Sequence, residues 1–233
     1  MKLRNPEQIA KFLAGTPVFS VARQTILNDI AQSAACKSVG QGQVLFTQMD
    51  TADHVYVVVS GCISLFLATE DGKELVINEM QRGDCFGELS LITHEPRSTG
   101  AIAQEASEVV IIPSHTFMKV LQSDTVLMQR VLETTASRLR KSSERESALA
   151  FLDANARIAR ILLDLDQKES DKGFIRITQE SLGQYVGLTR QTVARTLGAW
   201  RREGWVLTAR GGIRILDRTK LEEQACETQI GDR

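Results

Sequence analysis

Within CFGELSLITHEPRSTGAI, Gly87, Glu88 and Leu89 are followed about ten residues on by Arg97, Ser98 and Thr99. An arginine brings a fixed fork of N–H donors, a carboxylate brings acceptors, and a glycine lets a ligand approach the backbone closely. A molecule with one phosphate charge, a ribose hydroxyl and a purine edge asks for that set plus one polar contact for the base. A cyclic nucleotide is such a molecule. Taken singly, the same residues also read as a surface glutamate and arginine beside an ordinary β-turn. Metal chemistry has no comparable set. Cys36, Cys62, Cys85 and Cys226 stand singly, and His54, His94 and His115 form neither H-x-H nor H-E-x-x-H. Such cysteine use reads as reduced thiols, and no metal is expected.

A second constellation lies in TQESLGQYVGLTRQTVARTLGAW, which splits at Gly187 into two helices, with Thr189 placed to cap the second. Val193, Leu197 and Trp200 recur on one face of that helix, and Arg190, Gln191, Ala194 and Arg195 lie on the other. The apolar face would pin the helix to its neighbour through Leu182 and Val186. The polar face suits base edges, because arginine donates two parallel hydrogen bonds to guanine and glutamine pairs similarly with adenine. The bland alternative is a helical hairpin with a solvated arginine face. A Gly211-Gly212 hairpin in VLTARGGIRILD would follow as a wing.

The elements that must position these residues follow from periodicity. From about Val18 to Thr116, short apolar runs alternate with turns at Gly61, Asp71-Gly72 and Gly83, the pattern of an antiparallel sandwich or roll with a small helical lead-in. From about Ser114 to Leu152 no glycine or proline interrupts, and Met128, Leu132, Thr135, Leu139, Ser142, Glu146 and Leu149 recur at steps of four and three. That is the seam of a helix that pairs with a second copy, and its polar positions set register or meet a ligand. ARIARILLDLDQK reads as a helix, ESDKG as a turn, FIRIT as a short strand, and the chain from Glu222 onward as a frayed polar tail.

The chain has 28 basic and 29 acidic side chains, but Lys172 to Lys220 hold ten basic and three acidic ones. A basic module joined to a mildly acidic one fits a DNA-binding domain tethered to a regulatory domain. The longest apolar stretch, Val55 to Ala68, is too short to span a bilayer, and no secretory signal leads the chain, so a cytoplasmic protein is expected.

These motifs resemble the cyclic-AMP receptor protein family of bacterial transcription regulators, from about residue 18 to 218. The parts that carry the resemblance are VVVSGCISLFLATEDGKELVINEMQRGD, the cassette FGEL with PRS, the segment RLRKSSERESALAFLD, and LGQYVGLTRQTVARTL. It implies an α+β architecture: an antiparallel, jelly-roll-like β-roll domain over residues 1–117, a long dimerisation helix over 118–152, and a winged helix-turn-helix domain over 153–233. It also implies that Gly87, Glu88 and Leu89 meet the nucleotide, with Glu88 on the ribose hydroxyl, and that Arg97 and Ser98 hold the cyclic phosphate. Arg138 approaches Glu88 and the ligand. Ser142 and Ser143 contact the purine, one from each subunit of a homodimer. Thr189, Arg190, Gln191 and Arg195 fall to DNA. Cyclic AMP is the expected allosteric effector, with cyclic GMP the alternative, and the expected partners are near-palindromic double-stranded DNA, a second copy of the chain and RNA polymerase.

The sequence departs from the usual pattern in three places. Ser142 stands where threonine is usual, Gln191 stands where glutamate is usual, and the linker QKESDKGFIRIT is shorter. Two other classes compete. A relative with another effector or none, such as one sensing oxygen, nitric oxide or haem, would show an N-terminal cysteine cluster or a placed histidine in place of Glu88, Arg97 and Ser98, and a β-roll enzyme of cupin type would need H-x-H. Neither pattern is present, and no enzymatic activity is expected.

Overall fold

The computed structural model describes residues 3–69, 74–168, 174–209 and 211–226, with side chains at 145 and 148–150 left out. The expected Asp71-Gly72 turn, the ESDKG turn, the Leu149 side chain and the end of the tail lie outside the described residues. The chain divides into two compact units, Met1–Gly72 with Val76–Leu139, and Lys73–Leu75 with Arg140–Arg233.

The first unit opens with helix α1 (Pro6–Ala14). Asn5 caps it by accepting from the Gln8 N–H, and a proline occupies its first turn, where no backbone donor is needed. Helix α2 (Gln24–Ser33) follows, and then, among the described residues, eight strands. They are β1 (Ala35–Val39), β2 (Val44–Phe46), β3 (His54–Ser60), β4 (Ile63–Ala68), β5 (Glu74–Met80), β6 (Cys85–Phe86), β7 (Gly100–Ala103) and β8 (Ser107–Pro113). They form two four-stranded sheets, ordered β1-β8-β3-β6 and β2-β7-β4-β5. The pairings β1 with β8, β3 with β8, β2 with β7 and β4 with β7 are antiparallel, as expected of a roll.

Strand β3 shows how both faces of a sheet are covered. Side chains alternate along a strand, so Tyr56 and Val58 enter a core with Phe46, Ile63, Met80 and Phe86. Val55, Val57 and Val59 point the other way, into a core with Leu13, Phe19, Ile30, Phe117 and Leu127 from the helices. Both faces are dry, and the strand reads as a continuous apolar run.

The helix expected over 118–152 is interrupted. Helix α4 (Ser114–Ser123) ends at Asp124, whose backbone is extended, and the long helix α5 runs from Thr125 to Phe151. The cause is a cap. Asp124 Oδ1 accepts from the N–H groups of Val126 and Leu127, both at 3.0 Å, and so starts a new helix. Met128, Leu132 and Leu139 stay exposed along α5.

The second unit holds α6 (Ala154–Lys168), α7 (Gln179–Val186), α8 (Arg190–Arg202), β9 (Val206–Ala209), β10 (Gly212–Ile215) and α9 (Arg218–Ala225). Ile158, Leu162, Leu182, Val186, Val193, Leu197, Trp200, Ile213 and Leu221 build its core. FIRIT forms no ladder: only Ile175 bridges Ile213. The tail is ordered further than expected, because Asp217 caps α9 and Arg218 bonds Asp166 of α6 at 2.7 Å.

Candidate functional site

Strand β6 leads through Gly87 into helix α3 (Glu88–Thr93). Gly87 has φ +81°, and a Cβ there would sit 2.7 Å from an Arg97 nitrogen, so both conformation and space demand glycine. The turn aims the Gly87 carbonyl at Arg97, which donates to it through Nη1 at 2.7 Å and to the His54 carbonyl through Nη2 at 2.7 Å. The Arg97 backbone is also tied down, its N–H bonding the Asp50 carbonyl and its own carbonyl accepting from Met49 N–H. The residue is 2 % exposed.

Burial lowers the Arg97 pKa from its ordinary value, and neighbouring groups, among them Asp53, Asp50 and Glu88, oppose that shift. The guanidinium has five N–H donors. Two are directed at the two carbonyls, and Nε has no hydrogen-bond partner among the described residues. A buried donor left unpaired is costly, and an anion at that edge would relieve the cost.

Glu88 is buried beside it and accepts from Arg138 Nη1 at 2.8 Å. Arg138 also donates to the Cys85 carbonyl and lies 3.8 Å from Met80 Sδ. The structure thus brings Gly87, Glu88, Arg97 and Arg138 to one turn as two hydrogen-bonded pairs, Gly87 with Arg97 and Glu88 with Arg138, that adjoin through the Gly87–Glu88 backbone. Leu89 and Ser98 lie at its exposed margin. Ser142 is half-buried on α5 and donates to Glu146 at 3.4 Å, and Ser143 is exposed; both belong to the other unit. Sequence reasoning missed the two carbonyls and the rings of Phe46 and Tyr56, whose centroids lie 4.4 and 5.6 Å from Arg97 Cζ. The unbroken apolar run in HVYVVVS marked Tyr56 as buried, but nothing in it told which of the two faces the ring would join.

The second unit presents the expected helix pair. Thr178 caps α7 and Thr189 caps α8, and Gly187 ends α7 in a left-handed conformation. The turn is tight: a Cβ on Gly183 would lie 2.6 Å from the Leu188 carbonyl oxygen. Val193, Leu197 and Trp200 are buried, whereas Thr189, Arg190, Gln191 and Arg195 are exposed within the first turns of α8. Two further ties were not foreseen. Arg157 of α6 donates to the Val186 carbonyl at 2.9 Å, and Thr196 donates to Asn155 at 2.9 Å. They hold both helices on α6 while the polar side chains of the first turns of α8 stay in solvent. Strands β9 and β10 pair antiparallel as the wing. Among the described residues no cluster of His, Cys, Asp and Glu could hold a metal, and no helix is long and apolar enough to cross a membrane.

Comparison with known proteins finds a family for each unit. The family described as cyclic nucleotide-binding domain matches residues 36–124, and the Crp-like helix-turn-helix domain matches residues 156–224. The chain is 35 % identical over 159 residues to the cAMP-activated global transcriptional regulator CRP of Salmonella typhimurium, covering 66 % of this chain and 76 % of that one. It is 25 % identical over 221 residues to the CRP-like cAMP-activated global transcriptional regulator of Mycobacterium tuberculosis, covering 92 % and 99 %. The solved structure of a CRP/FNR-family transcriptional regulator from Thermus thermophilus superposes with a TM-score of 0.69 at 25 % identity, covering 82 % and 98 %.

Proposed function

Because the chain belongs to the cyclic-AMP receptor protein family and is a cyclic-nucleotide-binding transcription regulator, we propose that cyclic AMP is its effector and that two copies act together on near-palindromic DNA. The observation that carries this reading is Arg97, a buried cation with an unspent Nε edge beside a carboxylate already held by Arg138. Both relatives above are cAMP-activated by name.

In this reading the cyclic phosphate takes the remaining donors of Arg97, with the Ser98 hydroxyl at the mouth. The ribose hydroxyl donates to Glu88, whose orientation Arg138 fixes. Gly87 and Leu89 border the sugar, and the purine meets Ser142 of one subunit and the partner subunit's Ser143. A ligand that bridges roll and paired helices shifts the dimer by its differential affinity for two arrangements. One arrangement fits both α8 helices into successive major grooves, about 34 Å apart. RNA polymerase is then the downstream partner and the cytoplasm the place of action.

Calorimetric titration with cyclic AMP and with cyclic GMP, each followed by DNA binding, tests the proposal. Arg97→Ala is expected to abolish ligand-dependent DNA binding in a dimer that still folds. Unchanged nucleotide affinity in that variant would overturn the assignment. A serine hydroxyl can accept from an adenine amino group or donate to a guanine oxygen, so cyclic GMP should bind within about tenfold of cyclic AMP. No cyclic GMP binding at millimolar concentration would refute the purine contact.

A further inference from the structure

The geometry points to Phe46 and Tyr56 as an aromatic floor that fixes the plane of the Arg97 guanidinium and keeps its Nε edge turned toward a single anionic group, with Phe46 the principal positioning residue. The inference rests on the reading of Arg97 as the phosphate partner, and adds to it the residues that aim the cation.

Arg97 Cζ lies 4.4 Å from the Phe46 ring centroid and 5.6 Å from that of Tyr56, and the two centroids are themselves 5.5 Å apart. Rings on opposite faces of a guanidinium would stand much further apart than that. They therefore flank it from one side and leave the other face uncovered by them. Tyr56 stacks on Phe86 at 5.2 Å, and Phe46 lies 6.2 Å from Phe86, so the floor is one packed aromatic cluster. Phe46 is aimed into it by a register shift between β2 and β7 at Val44 and Phe46, the kind of irregularity that redirects a side chain.

A cation over a ring face is attracted by the quadrupole, and the attraction is greatest where water is excluded, as it is for this buried side chain. The carbonyls of Gly87 and His54 hold the two Nη atoms from the end. Those two hydrogen bonds oppose rotation about the long axis of the side chain, and the rings on one face add a second restraint on the same rotation. The Nε edge is the part left without a partner among the described residues.

The test uses the full chain with Phe46→Leu, which removes the ring and keeps an apolar group, and Phe46→Tyr, which keeps the ring. Ring current should displace the Arg97 Nε–H resonance, identified by its loss in Arg97→Lys, and the displacement should shrink in Phe46→Leu, where only Tyr56 remains, and persist in Phe46→Tyr. Cyclic AMP affinity should fall about tenfold in Phe46→Leu and stay within about threefold in Phe46→Tyr. A cyclic AMP analogue whose phosphate is a neutral triester should lose no affinity on Phe46→Leu. An equal loss for the neutral analogue would show that Phe46 shapes the pocket without aiming the cation, and would overturn the proposal. So would a resonance that is the same in all three proteins. If the wild-type chain binds no cyclic nucleotide, the effector reading fails by itself, while the arginine resonance still decides whether the floor exists.

Discussion

At the scale of single residues, Arg97 concentrates the demands of the site. Its deletion takes the Arg97 donors from two half-buried carbonyls and leaves a void under the aromatic cluster, so Arg97→Ala should lower unfolding free energy by about 2–4 kcal/mol as well as ligand affinity. Denaturant titration of the apo chain reads the first effect separately. The cysteines give a second expectation. Burial, with Glu79, Glu105 and Asp84 nearby, pushes the Cys62 thiol from 9.0 up to about 12, and burial raises Cys36 and Cys85 as well. Native chain at pH 8 should therefore label with iodoacetamide at exposed Cys226 well before the other three. The raised thiol keeps its contribution to stability below pH 9 and loses it as pH climbs toward 12, because unfolded thiols ionise first. Cys62→Ser should flatten the alkaline loss of stability over that window, and an unchanged slope would contradict it. The residues Gly87, Glu88 and Arg97 were legible from type and spacing. Their setting was not, since the His54 carbonyl and the Phe46 ring reach Arg97 from about 40 to 50 positions earlier in the chain.

At the scale of elements, periodicity exposed the roll, the long helix and the helix pair, but missed whatever a single nonlocal contact decides. The stop at Asp124 was readable as an acidic cap before an apolar run, but nothing in the a/d spacing marks it. Helix α9 was hidden because Leu221 is its one fully buried apolar residue and its anchor, Asp166, lies 52 positions away. FIRIT has strand-like residues, yet with one bridging partner it contributes a single paired position. Gly183 carries the sharpest prediction at this scale. Its Cβ would meet a backbone oxygen, which cannot swing aside as a side chain can, so Gly183→Ala should cost about 2 kcal/mol or more and weaken DNA binding without altering nucleotide affinity. Thr189→Ala, which removes only a cap, should cost about 1 kcal/mol. Equal losses for the two would refute the close approach as the cause.

At the scale of the whole molecule, α5 carries an exposed apolar stripe. Leu132 and Leu139 are 67 % and 68 % exposed, at the spacing of a paired-helix seam. In the dimer reading, Leu132→Glu with Leu139→Glu should sediment as a monomer and lose affinity for a two-half-site DNA far more than for one half-site. Base reading makes a separate claim. Sites selected from a random pool should keep a guanine in each half-site, and Gln191→Glu should shift the preferred base at one position toward cytosine; identical selected sites would remove residue 191 from the reading face. The placement of Trp200 and Trp205 has an optical consequence. They are the two tryptophans of the chain, their rings are stacked at 6.0 Å, and both belong to the Arg140–Arg233 unit. Intrinsic tryptophan emission therefore watches the DNA-reading module alone, and the roll is dark. A nucleotide that changes this emission has sent its signal out of the roll, while one that binds by calorimetry and leaves the emission untouched has been heard in only half the molecule.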